Sequence, residues 1–139
     1  CDAETARAAR HADEAVILGA PNVLRGGSHD ARLNATAAVQ ESLCTALASD
    51  YYYPAPMRAA FHLNHHGVLP FAEAWDLVSG GPARAAGLHD RGVIAPGRRA
   101  DLLLVDVDSA LGPQVLATIT AGELVHSHGT SGRLRVVGE

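Results

Sequence analysis

The sequence predicts an α/β fold, on three observations. Two short continuous apolar runs, Ala15-Val16-Ile17-Leu18 and Cys44-Thr45-Ala46-Leu47-Ala48, alternate with stretches of helical spacing. Each run ends at Gly or at Ser-Asp, which suits strands buried on both faces, as parallel strands are. From Gly92 the pattern turns to strands. Helix–strand–helix–strand followed by a β tail reads as consecutive βα units and then part of a separate small sheet. The predicted division is 1–88 for the βα units and helices, and 89–139 for the tail.

Residues 3–14 are rich in Ala, Arg and Glu with small apolar positions at helical spacing, an amphipathic helix. The first strand follows and ends at Gly19. A loop is expected from Ala20 to Asp30, then a helix over 34–42 and the second strand, which stops at Ser49-Asp50 before Tyr51-Tyr52-Tyr53-Pro54. Met57, Ala60, Phe61 and Asn64 share a helical face. Pro70 opens a helix whose apolar positions are Phe71, Ala74, Trp75 and Val78. Pro82 to Ala86 forms a helical turn that Gly87 caps. Leu102 to Val105, Gln114 to Thr120 and Glu123 to His126 are the strands of the tail.

The chain has 139 residues, 47% hydrophobic and 4% aromatic, with a formal charge of −4. That suffices for one modest domain but not for a complete (β/α)₈ barrel of roughly 200 to 250 residues. The eleven basic residues are all Arg. A Schiff-base lysine, a carbamylated lysine ligand and a phosphate-loop lysine are therefore excluded. The acidic balance excludes a nucleic-acid footprint, which shows as a basic face. No apolar run reaches the roughly 18 residues of a membrane span. The start, Cys1-Asp2-Ala3-Glu4, is charged and lacks Met, so no signal peptide is visible and the sequence reads as a partial chain. Two cysteines, Cys1 and Cys44, without Cys-x-x-Cys spacing fit a reducing cytoplasm.

The densest polar constellation is the loop Gly19-Ala20-Pro21-Asn22-Val23-Leu24-Arg25-Gly26-Gly27-Ser28-His29. Ligands of parallel α/β units bind in the loops after the strands' C-terminal ends. Gly26 and Gly27 allow backbone amides to approach an anion, Arg25 offers a planar fork for phosphate, and Asn22, Ser28 and His29 add donors. A tight turn with Arg25 in solvent explains the same residues. Asp50 ends an apolar strand, where barrel enzymes place metal ligands and general bases, although an Asp there also caps the next helix or turn. The tyrosines after it line a pocket or cover a rim. Of the histidines, His65-His66 read as solvated. His126-Ser127-His128 has the alternation by which two imidazoles share a metal, but no further donor lies nearby. His11, His62 and His89 stand alone. No nucleophile elbow, phosphate loop or dinucleotide fingerprint occurs.

Three segments carry a family resemblance. Gly92-Val93-Ile94-Ala95-Pro96-Gly97-Arg98-Arg99-Ala100-Asp101-Leu102-Leu103 resembles the C-terminal signature of the amidohydrolase superfamily, and Pro82 to Leu88 resembles the helical turn before it. Gly19-Ala20-Pro21-Asn22 with Arg25-Gly26-Gly27-Ser28-His29, then Ser49-Asp50-Tyr51, is similar to the superfamily's phosphonate-metabolism diphosphatases. Those hydrolyse a ribose 1-methylphosphonate 5-triphosphate and release pyrophosphate. After His29 this chain has Asp30-Ala31-Arg32 where that family has Ser-Gly-Asn, and it carries an extra Tyr and Pro56 after Asp50.

The resemblance implies the C-terminal third of a cytoplasmic hydrolase: the last βα units of a TIM barrel followed by strands of a small β-sandwich. It implies a divalent cofactor, zinc, manganese or iron, in the complete enzyme, with Asp50 as the eighth-strand ligand and catalytic carboxylate. The loop from Asn22 through Arg25, Gly26, Gly27, Ser28 and His29 then binds the phosphorylated small-molecule substrate. The first-strand His pair and the lysine ligand of that family have no counterpart here, so this chain alone is expected to hold no metal and to be inactive. Association with the remaining barrel strands, or with a second copy, follows from an open strand edge. A cyclic-amide hydrolase or deaminase, and a non-catalytic module binding an anion or a partner, remain alternatives.

Overall fold

The computed structural model describes residues 2–26 and 33–128. The chain divides into two units, Cys1–Arg99 and Ala100–Glu139. In the first unit the Ser79 hydroxyl donates to the Gly92 carbonyl at 2.8 Å, and the Arg99 amide to the Asp90 carbonyl at 2.7 Å.

The first unit runs α1 (Ala3–His11), β1 (Ile17–Gly19), α2 (Ala20–Leu24), α3 (Ala35–Gln40), β2 (Ala46–Ala48), α4 (Ala55–His65), α5 (Phe71–Asp76) and α6 (Gly80–Ala85). Asp2 caps α1 by accepting from the Thr5 amide at 2.8 Å, and that bond holds its carboxyl below the ordinary range. Asn34 caps α3 in the same way, accepting from the Ala37 amide at 3.1 Å. The two strands pair in parallel, Ile17 opposite Ala46, Leu18 opposite Leu47 and Gly19 opposite Ala48. They are shorter than the apolar runs because Thr45 Oγ1 accepts from the Val16 amide at 2.9 Å, so a side chain replaces the ladder at its start. The loop expected from Ala20 opens instead with α2. Pro21 sits in its first turn, where the missing N–H costs nothing.

Alanine and mid-sized aliphatics make the core: Ala20, Val23, Leu47, Ala59, Ala60 and Leu63 are all buried. The buried face of α4 is Ala55, Ala59, Ala60 and Leu63. It is rotated from the predicted face, since Asn64 is exposed and spends its side-chain amide on the Leu69 carbonyl at 3.2 Å. Phe61, Phe71 and Trp75 form an aromatic cluster across α4 and α5, with the Phe61 and Phe71 rings 5.0 Å apart. Among the described residues no third strand pairs with β2. The Leu47 amide donates to the Leu77 carbonyl at 2.7 Å, and Gly81 lies so close that a Cβ on it would stand 2.1 Å from the Thr45 carbonyl oxygen. The α5–α6 connection thus covers that edge.

The second unit is an antiparallel meander of β3 (Leu102–Asp106), β4 (Gln114–Thr120) and β5 (Glu123–Ser127), as the tail's pattern predicts. Ala121 and Gly122, with φ of +52° and +85°, make the two-residue turn of the last hairpin. The Asp101 carboxylate accepts from the Ala121 amide at 2.8 Å and ties that turn to the start of β3. Among the described residues no helix is long and apolar enough to cross a membrane.

Gly81→Ala is expected to cost about 3 kcal/mol, because the backbone of β2 cannot withdraw from the new methyl, and urea unfolding of the whole chain reads the loss. Cys44 gives a pH signature. Burial pushes its thiol up to about 11, whereas a thiol in the unfolded chain ionises near about 8.5. Between those values the unfolded state has released a proton that the folded state keeps, so stability falls as pH rises. About 3 kcal/mol is lost by pH 11 relative to pH 8. Chemical denaturation across that range should show the slope, and Cys44→Ala should remove it.

Candidate functional site

The parallel register brings the C-terminal ends of β1 and β2 side by side. Asn22 comes from α2, directly after β1, and Asp50 from the turn after β2. A Cβ placed on Gly19 would stand 3.4 Å from Asn22 Nδ2 and 3.7 Å from Asp50 Oδ2, so both side chains border one spot. Glycine at 19 leaves that spot open.

Arg25 follows at the C-cap of α2, exposed, with its guanidinium carbon 5.4 Å from the Tyr51 ring centroid. A guanidinium at that distance is attracted by the negative face of the ring. Among the described residues no ion pair uses Arg25 or Asp50. Asn22, Arg25, Asp50 and Tyr51 therefore form one polar edge with a cation, a carboxylate and an amide, all solvent-accessible.

Asp50 is not the cap of α4. That position is Pro54, which makes no side-chain cap bond. Asp50 instead has φ of +54°, in the left-handed region that an Asp tolerates better than most residues. Gly26 also has a positive φ, +70°, but its amide donates to the Val23 carbonyl at 3.3 Å. It makes the turn that ends α2, with its amide engaged in that turn. The Arg25 amide is likewise taken, by the Pro21 carbonyl at 3.1 Å. The cationic character of this edge rests on the Arg25 side chain. Gly27, Ser28 and His29 lie outside the described residues.

The tyrosines divide. Tyr51 supports Arg25, Tyr52 lies under Arg58 at 5.9 Å, and Tyr53 is exposed. Tyr51 is the site residue that sequence reasoning left undecided. Its signal is an aromatic directly after the strand-ending Asp, opposite an arginine that ends the helix after the neighbouring parallel strand. An open cavity of about 430 Å³ lies at the opposite ends of the strands, bordered by Arg10, Ser42, Cys44, Glu73 and Asp76, and none of the four edge residues lines it.

Among the described residues no group of three or more His, Cys, Asp or Glu side chains is arranged to hold an ion. One carboxylate does not hold a catalytic dication against water, which takes three or more protein ligands. Among the described residues Asp50 is not part of such a group. His126 and His128 are exposed, and His65 and His66 are solvated as predicted. His62, predicted to stand alone, stacks on His66 with ring centroids 4.0 Å apart. Partial burial and the neighbouring imidazoles hold its pKa below the ordinary range.

The family model described as "Amidohydrolase family" matches residues 45–126. Asp50 and Tyr51 lie inside that match and the Asn22–Arg25 segment before it. The chain is 43% identical over 105 residues to the alpha-D-ribose 1-methylphosphonate 5-triphosphate diphosphatase of Escherichia coli K12, covering 73% of this chain and 27% of that protein. It is 36% identical over 140 residues to the adenine deaminase of Methylobacterium nodulans, covering 94% of this chain and 24% of that one. A Brucella suis adenine deaminase is 46% identical over 59 residues, 42% of this chain and 10% of its own length. The chain spans about a quarter of the length of the first two relatives.

Asp50→Asn should leave thermal stability within about 0.5 kcal/mol of the parent, since Asn also accepts a positive φ and the site is exposed. Asp50→Val should cost about 1 to 2 kcal/mol, because a β-branched residue is strained there. Thermal melts of the two variants check this.

Proposed function

Because the chain belongs to the amidohydrolase family, we propose that its first unit supplies the phosphate-facing edge of a hydrolase acting on a phosphoric anhydride. The substrate class is that of the Escherichia coli relative, a ribose 1-methylphosphonate 5-triphosphate cleaved with release of pyrophosphate. The observation that carries this reading is the convergence of Arg25, Asn22 and Asp50 at one end of a parallel strand pair. On this proposal β1 and β2 are the closing strands of a TIM barrel and β3–β5 are return strands of a small β-sandwich. β1 pairs on one side alone among the described residues and Ile17 is 55% exposed. Its free side then takes a strand from the rest of the barrel or from a second copy, and closing the barrel requires the α5–α6 connection to leave the other edge of β2.

The chemistry asks this edge for three things. Water adds to a phosphorus, the anhydride P–O bond breaks, and pyrophosphate leaves. Arg25 spans two phosphoryl oxygens with its fork, and Asn22 donates its side-chain amide to a third. A positioned donor of this kind contributes about 2 to 4 kcal/mol in the transition state. Asp50 orients the attacking water and accepts its proton. The family's divalent metal is not held by these residues, Asp50 being one carboxylate of the several donors it needs. The chain by itself is therefore expected to bind the anion without turning it over.

The deaminase relatives favour a second reading, because one of them aligns over 94% of this chain. In that case the edge faces a purine and a free arginine is not required. Titrating the full chain with inorganic triphosphate and, separately, with adenine distinguishes the two by calorimetry. Triphosphate is expected to bind, and Arg25→Ala to weaken it about 10- to 100-fold, the value of a hydrogen bond to a charged group. Adenine binding with triphosphate ignored, or triphosphate binding indifferent to Arg25, overturns the diphosphatase reading.

A further inference from the structure

The C-terminal end of α4 carries three histidines that the proposed hydrolysis does not use, His62 and His65 in the last turn and His66 at the C-cap. His62 and His66 are four residues apart and so share one helix face. Their rings lie 4.0 Å apart between centroids and 34° from parallel. The His65 ring stands edge-on to His66 at 5.2 Å.

A second contact sets the chemistry of His66. Its Nδ1 lies 2.9 Å from the His62 carbonyl oxygen. A carbonyl only accepts, so Nδ1 carries the hydrogen, and in the neutral ring the lone pair is left on Nε2. That arrangement, one ring nitrogen donating to a backbone carbonyl and the other free, is how proteins orient and strengthen a metal-binding imidazole. The same carbonyl also accepts the His66 backbone amide at 3.1 Å, so the acceptor is fixed by the helix end itself. The remaining carbonyls of the turn make the helix terminus electronegative, which favours a cation there.

We propose that His62 and His66 form a surface site for a transition-metal dication of the imidazole-preferring class, nickel, copper or zinc. Water completes the coordination, since no group of three protein donors is preset among the described residues. The site is thereby open and exchangeable, unlike a closed structural zinc site. It lies on α4 and does not depend on the hydrolytic reading of the strand ends. The alternating pair His126 and His128 supplies the internal comparison. Both are exposed, and His128 engages the Leu116 carbonyl through its backbone amide.

The test is a titration of the full, metal-stripped chain with nickel chloride near neutral pH, followed by calorimetry and by paramagnetic broadening of histidine ring protons. The expected result is saturable binding of one nickel ion that broadens His62 and His66 first. His62→Ala keeps the carbonyl that orients His66 and removes one ligand, and His66→Ala removes the other. Each should weaken binding by more than the roughly tenfold lost with an outer partner of a ligand. The double variant His126→Ala/His128→Ala should change it less than about twofold, as surface substitutions away from a site do. Broadening centred on any other residues, unchanged affinity in both α4 variants, or binding seen only at millimolar nickel would each overturn the proposal.

Discussion

The side chain of Thr45 clasps the backbone of Val16, and the arrangement of the first unit follows from that clasp. Thr45 Oγ1 accepts from the Val16 amide at 2.9 Å and donates to the Val16 carbonyl at 3.2 Å, while the Thr45 amide donates to the same carbonyl at 2.9 Å. One residue thus sets where the parallel ladder begins. A slip of one position would turn every strand side chain to the opposite face. Because the strands run in the same direction, fixing their start also fixes where they end together. Asn22 and Asp50, far apart in the chain, reach the same spot for that reason.

The other side of β2 shows what holds the pair in place. A parallel strand left bare exposes a row of unpaired amides and carbonyls. Here the Leu77 carbonyl takes the Leu47 amide, and Gly81 brings α6 against the Thr45 carbonyl. Small residues make this approach possible. Gly81, Ala83, Ala74, Ala59 and Ala60 are buried without long side chains to hold the elements apart. Leu63 and Val23 are the larger side chains that fill the space left between them. The abundance of alanine is thus a packing property, and it explains how such short strands remain covered.

The parallel pair, most of the helices around it and the three strands of the tail were legible, because each is written as a local pattern: an apolar run or a helical stripe. What periodicity does not carry was missed. The strands start late because a threonine side chain substitutes for a ladder bond. Five residues of α2 are too few to display a period, and their Gly and Pro flanks read as loop. The face of α4 came out rotated because Asn64 competes for a carbonyl five residues on. At the site, the positions of Asn22, Arg25 and Asp50 followed from the rule that loops after parallel strands face the ligand. The contact of Arg25 with Tyr51, the occupied Gly26 amide and the stacking of His62 on His66 are through-space facts with no sequence period behind them.

The placement of Arg25 bears on what the strand-end edge can do. An exposed guanidinium on an aromatic ring is held by about 0.5 to 1 kcal/mol. A hydrogen bond from the same group to an anion is worth about 1.5 to 3 kcal/mol. The ring therefore limits where the arginine wanders without competing with a phosphate for it. A carboxylate partner would do the opposite, neutralising the cation and charging a desolvation penalty on its release. Asp50 stands on the same edge, yet among the described residues it forms no ion pair with Arg25. The left-handed backbone at Asp50 is consistent with that separation. It is a local strain that a Gly or Asn would bear at lower energy, and strain of this kind concentrates where geometry serves a site. Cation and carboxylate held apart on one rim suit a ligand with an anion for the first and a water or metal for the second. On the proposed reading, a polyphosphate ester undergoing hydrolysis offers both.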